Sequence, residues 1–197
     1  MLPFRAFLIP LALLFAVQAS AHDFVLGARV TPIGIADKGE LLYQQNSFSY
    51  AKWNSARLVG KVRIIQHIAG RSSAKEKNAA LIEAVKAAGL PHDRYQTTTL
   101  VNTDDAIPGT GMFVSSSIEN NKKQYPWSQF IVDERGVAKK AWQLQDGGSA
   151  IIVLDKEGKV RFAKDGALTQ DEVKQVLALV HRLVGQPEGE LSGQSGK

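Results

Sequence analysis

The stretch LVGKVRIIQHIAGRSSAKEKN, residues 58–78, joins an apolar run to a glycine-containing turn and then to a charged segment. Residues 61–69 are apolar at most positions, which is typical of a strand that is buried on both faces of a sheet. Ser73 and Glu76 have the S-x-x-E spacing of a capping box at the start of a helix, and Gly89 predicts its end. The stretch therefore predicts a buried strand, a tight turn and a helix in direct succession.

The chain after this unit continues to alternate strands with helices. We expect a strand over residues 95–101 and a helix over residues 111–124 that turns Phe113, Val114 and Ile118 inward. The segments FIVDERGVAKKAW and IIVLDKEGKVRFAK each place D-x-x-G after an apolar run. This pattern predicts a β-hairpin in both places.

The remaining segments complete the predicted domain. Residues 24–60 show short apolar alternations that predict two or three strands. Thr169 and Glu172 form a second capping-box pattern, and Gly185 predicts the end of this last helix. The order of elements predicts an α/β domain with a central mixed sheet that is covered on both sides.

The two ends of the chain differ from the segment between them. Residues 1–21 carry one positive charge, an apolar core and an A-x-A site, which together predict a cleavable signal peptide and a periplasmic protein. We expect residues 22–185 to form one domain and the polar, Gly- and Ser-rich residues 186–197 to be a disordered tail. No later apolar run is long enough to predict a membrane span.

Composition excludes several classes of chemistry. The chain has 24 Lys and Arg against 19 Asp and Glu, a formal net charge of +5, and its basic residues form no long block. A nucleic-acid partner is therefore not predicted. The chain also has no cysteine, so it has neither a disulfide nor a thiol of its own.

Two motif regions resemble thioredoxin-like proteins of the TlpA and peroxiredoxin type. In those proteins L-x-G-K leads a central strand and a C-x-x-C turn precedes a helix; by this register Ser72 and Lys75 stand at the two cysteine positions. SAIIVLDKEGKVRFAKDGALTQDEV resembles their C-terminal half, where Ser149 stands at the position of a cis-proline. The resemblance implies a thioredoxin-like three-layer fold, and it implies that thiol redox chemistry has been lost at both signature positions.

A closer resemblance covers nearly all of the chain after residue 21. The motifs QHIAGRSSAKEKN, PHDRYQTTTLVNTDDAIPGTGMFV, NKKQYPWSQFIVD and KDGALTQ occur in the order found in the YtfJ family of gammaproteobacterial periplasmic proteins. The chain is identified on these motifs as a member of that family, which is known mainly as thioredoxin-like and functionally uncharacterised. Some members are labelled transcriptional regulators. The predicted signal peptide argues against a direct DNA-binding role here.

The turn after the central strand is the leading candidate site. Unpaired backbone N–H groups at a helix start favour anions, and Arg71, Ser72 and Lys75 add positive charge and a hydroxyl. The predicted function is a redox-inactive binding or adaptor protein that holds an unknown periplasmic protein or a small anionic ligand. The candidate binding residues are Gly70, Arg71, Ser72, Ser73, Lys75 and, on the facing strand, Ser149.

Two other interpretations of this turn stay open. It can be a helix cap with no ligand, because Ser73 already has that function in the predicted capping box. It can also belong to an enzyme that uses Ser72, Lys75 or His67 for non-thiol chemistry, which requires a base within hydrogen-bond reach of the nucleophile.

Weaker signals occur elsewhere in the chain. A free α-amine at His22 is a potential copper chelate, but the other histidines lack ligand spacing, so we predict no metal and no cofactor. Asp104 and Asp105 are expected to be turn residues rather than an acid–base pair. Four aromatic residues suit either core packing or a recognition surface; they are Trp53, Tyr125, Trp127 and Trp142.

Overall fold

Seven strands form one mixed sheet in the computed structural model, which describes residues 22–185. The strands are β1 (Gly34–Gln44), β2 (Ser47–Asn54), β3 (Val62–Ala69), β4 (Tyr95–Asn102), β5 (Gln129–Asp133), β6 (Ser149–Leu154) and β7 (Val160–Asp165). The helices are α1 (Ser72–Glu76), α2 (Ala79–Ala87), α3 (Gly111–Gln124), α4 (Val137–Trp142) and α5 (Gln170–Val184). The strand order is β2-β1-β5-β4-β3-β6-β7, in which β3, β4 and β5 are parallel.

The sheet separates two layers. One layer packs α2, α3 and α5 on what we call the α3 face, where Ile64, Ile68 and Val101 point. The opposite α4 face packs α4 against Ile65 and Leu100. Because side chains alternate along a strand, neighbouring residues of β3 and β4 belong to different layers. The predicted α/β architecture with a covered mixed sheet is confirmed.

The helices of the α3 face leave one strand uncovered. On this face α3 packs over β1 and β5, whereas α5 packs over β3 and contacts α2. Strand β4 lies between these two groups of helices in the sheet. A gap over β4 follows from this spacing.

The helix predicted after β3 is interrupted, and its predicted capping box is wrong. α1 begins after Arg71 without any side-chain cap, and the non-helical backbone of Asn78 separates it from α2. Asn78 is buried; its side-chain amide donates to Ser149 Oγ at 2.9 Å and to the carbonyl of Gly166 at 3.1 Å, and its Oδ1 accepts from Leu168 N at 2.9 Å. These three bonds to distant parts of the chain explain why the helix breaks at this residue.

One of the two predicted hairpins is also wrong. The carboxylate of Asp133 accepts from the backbone N–H groups of Val137 and Ala138 at 3.0 and 2.8 Å, so the chain turns into α4 instead of returning as a strand. In the second segment Asp155 accepts from the N–H groups of its own turn, and β6 and β7 pair as predicted. The same D-x-x-G pattern therefore serves a helix start in one place and a hairpin in the other.

The predictions for α3 and α5 are largely confirmed. α3 has the predicted bounds and buries Ile118, but Phe113 is 77% exposed instead of pointing inward. α5 begins with the predicted capping box between Thr169 and Glu172 and ends at Gly185 in a left-handed conformation. Strands β3 and β4 likewise lie where the apolar runs predicted them.

The predicted signal peptide, residues 1–21, and the predicted tail, residues 186–197, lie outside the described residues. Both stay predictions. Within residues 22–185, no helix has the length and apolar character needed to cross a membrane.

Candidate functional site

The predicted site turn lies at the carboxyl ends of β3 and β4, the edge at which α/β sheets commonly carry their sites. Gly70 is buried there, and its N–H donates to the carbonyl of Asn102 at 2.8 Å. A Cβ on Gly70 would lie 3.2 Å from that same carbonyl oxygen and from Ala106 Cβ. Glycine is therefore favoured here, because a side chain would force these neighbours to shift by a few tenths of an ångström.

Arg71 is already engaged by the protein. Its Nε donates to the backbone carbonyl of Asp105 at 2.8 Å, and its Nη2 donates to the same oxygen. The Asp105 carboxylate pairs with Lys139 at 2.8 Å and accepts from Gly147 N at 3.2 Å. Burial opposes ionisation of Asp105, but these bonds outweigh it and hold its pKa below the ordinary carboxyl value. This cluster locks one side of the turn, and it gives Asp105 a structural role.

The other predicted residues of the turn differ in accessibility. Ser72, Ser73 and Lys75 are exposed, and their side chains have no hydrogen-bond or ion-pair partner among the described residues. Ser149 is fully buried and its hydroxyl accepts from Asn78, so its side chain reaches no surface. Since α1 has only five residues, it lacks the long row of aligned peptide dipoles on which a strong helix-terminus anion site depends.

A cavity of about 510 Å³ opens beside the turn, over β4 and between α2 and α3. Its volume lies within the range of roughly 300–1,000 Å³ that small-molecule sites occupy. Ser72 and Lys75 lie at one end, and His92 and Trp127 lie at the other. Alternate residues of β4 from Tyr95 to Val101 line it, and this stretch corresponds to a length of about 20 Å at the usual rise per strand residue. The sequence predicted the turn but gave no sign of this space.

Two polar side chains form part of the cavity floor. Gln66 and Thr99 are direct neighbours in the parallel ladder of β3 and β4, and they are only 5% and 8% exposed. Neither side chain has a hydrogen-bond partner within residues 22–185, although both line the cavity. Their polar atoms are not enclosed by packed protein but open onto the cavity, where water or a ligand can reach them. The pair therefore offers two uncommitted hydrogen-bonding groups in a mainly apolar space.

Sequence reasoning missed this pair. Its signal was a polar residue in the middle of each of two apolar runs, RIIQHIA and TTTLV. A polar residue within an apolar strand is equally common where its side chain is hydrogen-bonded to the rest of the protein. Only the structure shows whether the side chain has such a partner.

Large apolar side chains are exposed around the mouth of the cavity. Ile107, Phe113 and Trp127 line it, and Met112, which is 82% exposed, adjoins them in α3. Lys86 on the opposite wall pairs with Glu83 at 2.8 Å and lies over the ring of Tyr125. A cluster of exposed apolar residues is a common feature of binding surfaces.

His67, the base considered for non-thiol catalysis, does not lie beside the candidate turn. His67 is 2% exposed and does not line the cavity, and it points to the α4 face with Ile65. Burial, with the nearby charge of Lys139, lowers the pKa of His67 to about 4 against the attraction of Asp105. The structure therefore does not place this histidine beside Ser72 as a base.

The aromatic and metal candidates separate in the same way. Trp53 and Trp142 are buried in the core of the α4 face, whereas Tyr125 and Trp127 line the cavity. The ring Nδ1 of His22 accepts from Phe24 N at 3.3 Å. Within the described residues, no three His, Asp or Glu side chains are grouped so that they could hold a metal ion.

Comparisons with known proteins agree with this architecture. The crystal structure of a thiol-disulfide isomerase from Corynebacterium glutamicum superposes with a TM-score of 0.50 at 17% identity, covering 77% of this chain and 98% of that one. At this identity the likeness shows the fold alone. The thioredoxin-like fold predicted from the sequence is thus confirmed, in a chain that contains no cysteine.

Sequence relatives are much closer. An uncharacterised protein, YtfJ, of Escherichia coli strain K12 is 67% identical over 172 residues, which cover 87% of this chain and 94% of that protein. An uncharacterised protein of Haemophilus influenzae is 41% identical over 170 residues, covering 86% of this chain and 92% of that protein. Residues 24–183 also match the family described as "Bacterial protein of unknown function (YtfJ_HI0045)". By these matches, which confirm the resemblance found in its motifs, the chain belongs to the YtfJ_HI0045 family.

Proposed function

We propose that this protein is a redox-inactive binding protein of the periplasm that takes a ligand into the cavity between α2 and α3. The predicted signal peptide supports the location. The absence of cysteine supports the redox-inactive role, because the thiolate is the nucleophile in disulfide exchange.

The observation that carries the proposal is the floor pair of Gln66 and Thr99. Small-molecule sites are mostly apolar pockets with a few polar groups that orient the ligand. Both side chains face the same cavity, adjoin each other in the sheet and form no hydrogen bond within residues 22–185. A ligand can therefore bond to them without displacing a hydrogen bond of the fold.

The candidate turn contributes one end of this site. Lys75 and Ser72 line the cavity and are free of other partners among the described residues, so they can meet a bound molecule. Arg71 and Gly70 also line it, but Nε and Nη2 of Arg71 already donate to Asp105 and the N–H of Gly70 already donates to Asn102. We therefore place the binding role predicted for residues 70–75 mainly on Ser72 and Lys75.

A second candidate function is favoured by the exposed rim. Ile107, Met112 and Phe113 could contact another periplasmic protein, which would make the chain an adaptor. In that case a partner covers the mouth of the cavity, and the floor pair stays unused.

Binding of the apolar anionic dye anilinonaphthalene sulfonate tests the main proposal. We expect one dye molecule per chain, and we expect Ser117→Trp to abolish binding because Ser117 lines the cavity on α3. The matched control is Ser116→Trp, since Ser116 is the adjacent exposed serine of the same helix and does not line the cavity. Equal binding by the two variants would contradict the proposal and leave the adaptor role as the better explanation.

Activity assays test the redox-inactive part separately. We expect the purified protein neither to reduce insulin nor to consume peroxide with any thiol donor, and clear turnover would be contrary evidence. A fluorophosphonate reagent is expected to leave Ser72 unlabelled, because His67 lies on the other face of the sheet. Labelling at Ser72 would support the enzyme interpretation instead.

A further inference from the structure

We propose that the ligand is a single-chain acyl amphiphile, in which an ester or amide carbonyl joins one acyl chain to an anionic head group. This inference rests on the proposed function and names the chemistry of its ligand. The head would lie at the Lys75 end of the cavity, the carbonyl at Gln66 and Thr99, and the chain along β4 toward Trp127.

The shape of the cavity favours an elongated ligand. The cavity volume of about 510 Å³ extends along about 20 Å of β4, so the mean cross-section of the cavity perpendicular to the strand is about 25 Å². The walls are mainly apolar, with Ile82 and Val85 from α2 facing Val114 and Ile118 from α3. Burying an apolar chain there contributes roughly 25 cal/mol for each Å² removed from water.

The number of vacant polar groups argues against an extended peptide. A peptide of six residues would bring an N–H and a C=O from each residue into the cavity, and each would need a partner. Among the lining side chains without a partner in the described residues, Gln66 and Thr99 lie on the floor, and Ser117 and Ser128 are partly exposed on the wall. These few groups fall well short of the roughly twelve that a six-residue peptide would need. The amide and hydroxyl donors of the floor can satisfy one carbonyl oxygen, so a ligand with one internal carbonyl fits better.

The distribution of charge locates the two ends of the ligand. The floor pair is neutral, and burying an ion beside it would require a paired charge that the floor does not supply. Lys75, by contrast, is an exposed cation at the rim without an ion-pair partner among the described residues. Gln66 lies three residues before Ala69, the last residue of β3, so the floor pair is about 10 Å along the strand from the edge of the sheet at which the turn with Lys75 begins. A ligand with an anionic end and a separate internal carbonyl matches this arrangement.

Displacement of anilinonaphthalene sulfonate by lysophosphatidylglycerol tests the inference. This lipid has one acyl chain, an ester carbonyl and an anionic head. We expect stoichiometric displacement, with weaker displacement by the uncharged monoacylglycerol and by the free fatty acid, which has no separate carbonyl. An N-acyl amino acid of the same chain length distinguishes an amide linkage from an ester. Dye binding that is sensitive to Ser117→Trp but undisturbed by all four lipids would overturn this inference while leaving the proposed function in place.

Substitution of the floor pair gives the sharper test. The double variant Gln66→Leu with Thr99→Val keeps the shape of the floor but removes its hydrogen bonds, so we expect lysophosphatidylglycerol affinity to fall about tenfold or more. The same variant should have an unchanged or higher melting temperature, because neither side chain forms a hydrogen bond within residues 22–185 that the substitutions would remove. A lower melting temperature with unchanged affinity would mean that the pair is structural, and the inference would be wrong.

The rim cation is tested by Lys75→Gln, with Lys77→Gln as the matched control. Lys77 is an exposed lysine two residues away that does not line the cavity. We expect Lys75→Gln to weaken lysophosphatidylglycerol binding a few-fold at low salt and to leave monoacylglycerol binding unchanged, since an exposed charge pair is weak and is screened by salt. An equal effect of both substitutions, or none, would contradict the placement of the head group.

Discussion

The two faces of the sheet differ in whether the polar side chains of β4 have hydrogen-bond partners. On the α4 face, Thr98 is fully buried between Arg63 and Gln129, with which it forms hydrogen bonds of 3.0 and 3.1 Å. One residue further along β4, Thr99 points to the α3 face and has no partner in the described part of the chain. The hydroxyl of Thr98 is thus paired within the packed core, whereas that of Thr99 opens onto the cavity. The alternation of side chains along β4 separates a hydrogen-bonded layer from the layer that contains the cavity.

The largest expected difference between the faces comes from their tryptophans. Trp142 on the α4 face is fully buried and donates to the carbonyl of Thr31 at 2.9 Å, so Trp142→Ala should lower the free energy of unfolding by about 3–5 kcal/mol. Trp127 is half exposed at the cavity end, and Trp127→Ala should cost less than about 1 kcal/mol. Urea unfolding of both variants measures this. Similar losses would mean that the α3 face is as tightly packed as the other.

A pH-dependent effect of intermediate size is expected on the α4 face. Burial lowers the pKa of His67 to about 4, so the unfolded chain takes up a proton at higher pH than the folded one. Stability should therefore fall as the pH decreases from about 6.5 to 4, with a contribution of about 3 kcal/mol from this residue.

The control for this pH effect is His67→Leu, measured by urea unfolding at pH 7, 5.5 and 4. The variant should lose that part of the pH dependence and keep the part that carboxylates contribute. An unchanged pH dependence in the variant would show that His67 is accessible to protons in the folded state.

The smallest expected effect gives the most direct comparison, because it uses two adjacent threonines. Thr98→Val removes the partner of Arg63 and Gln129 and should cost about 1–3 kcal/mol. Thr99→Val removes an unpaired hydroxyl and should be neutral or slightly stabilising. Melting temperatures of the two variants test this order. A larger loss of stability in Thr99→Val than in Thr98→Val would show that the hydroxyl of Thr99 is hydrogen-bonded in the folded protein.

Much of the fold could be predicted from local patterns. The apolar run of β3 and the capping box at Thr169 specify their elements within a few residues of sequence. The errors arose where a distant contact decides between two local outcomes. Asn78 breaks a helix because of its bonds to Ser149 and Gly166, and Asp133 starts α4 where a hairpin was equally compatible with the sequence.

The candidate site was predictable only in part. Motif resemblance located the turn and identified Ser72 and Lys75, which do line the cavity. The cavity itself depends on the distance between α2 and α3 across the sheet, which no short-range pattern encodes. The importance of Gln66 and Thr99 depends on the absence of partners for them, and this is a property of the whole packed domain.

The hydrogen bond between Asn78 and Ser149 makes positions 78 and 149 dependent on each other. A proline at position 149 would delete the hydroxyl that Asn78 uses, and the amide would keep only the carbonyl of Gly166 as an acceptor. A substitution at either position therefore weakens the same junction, and the two residues are expected to change together or not at all.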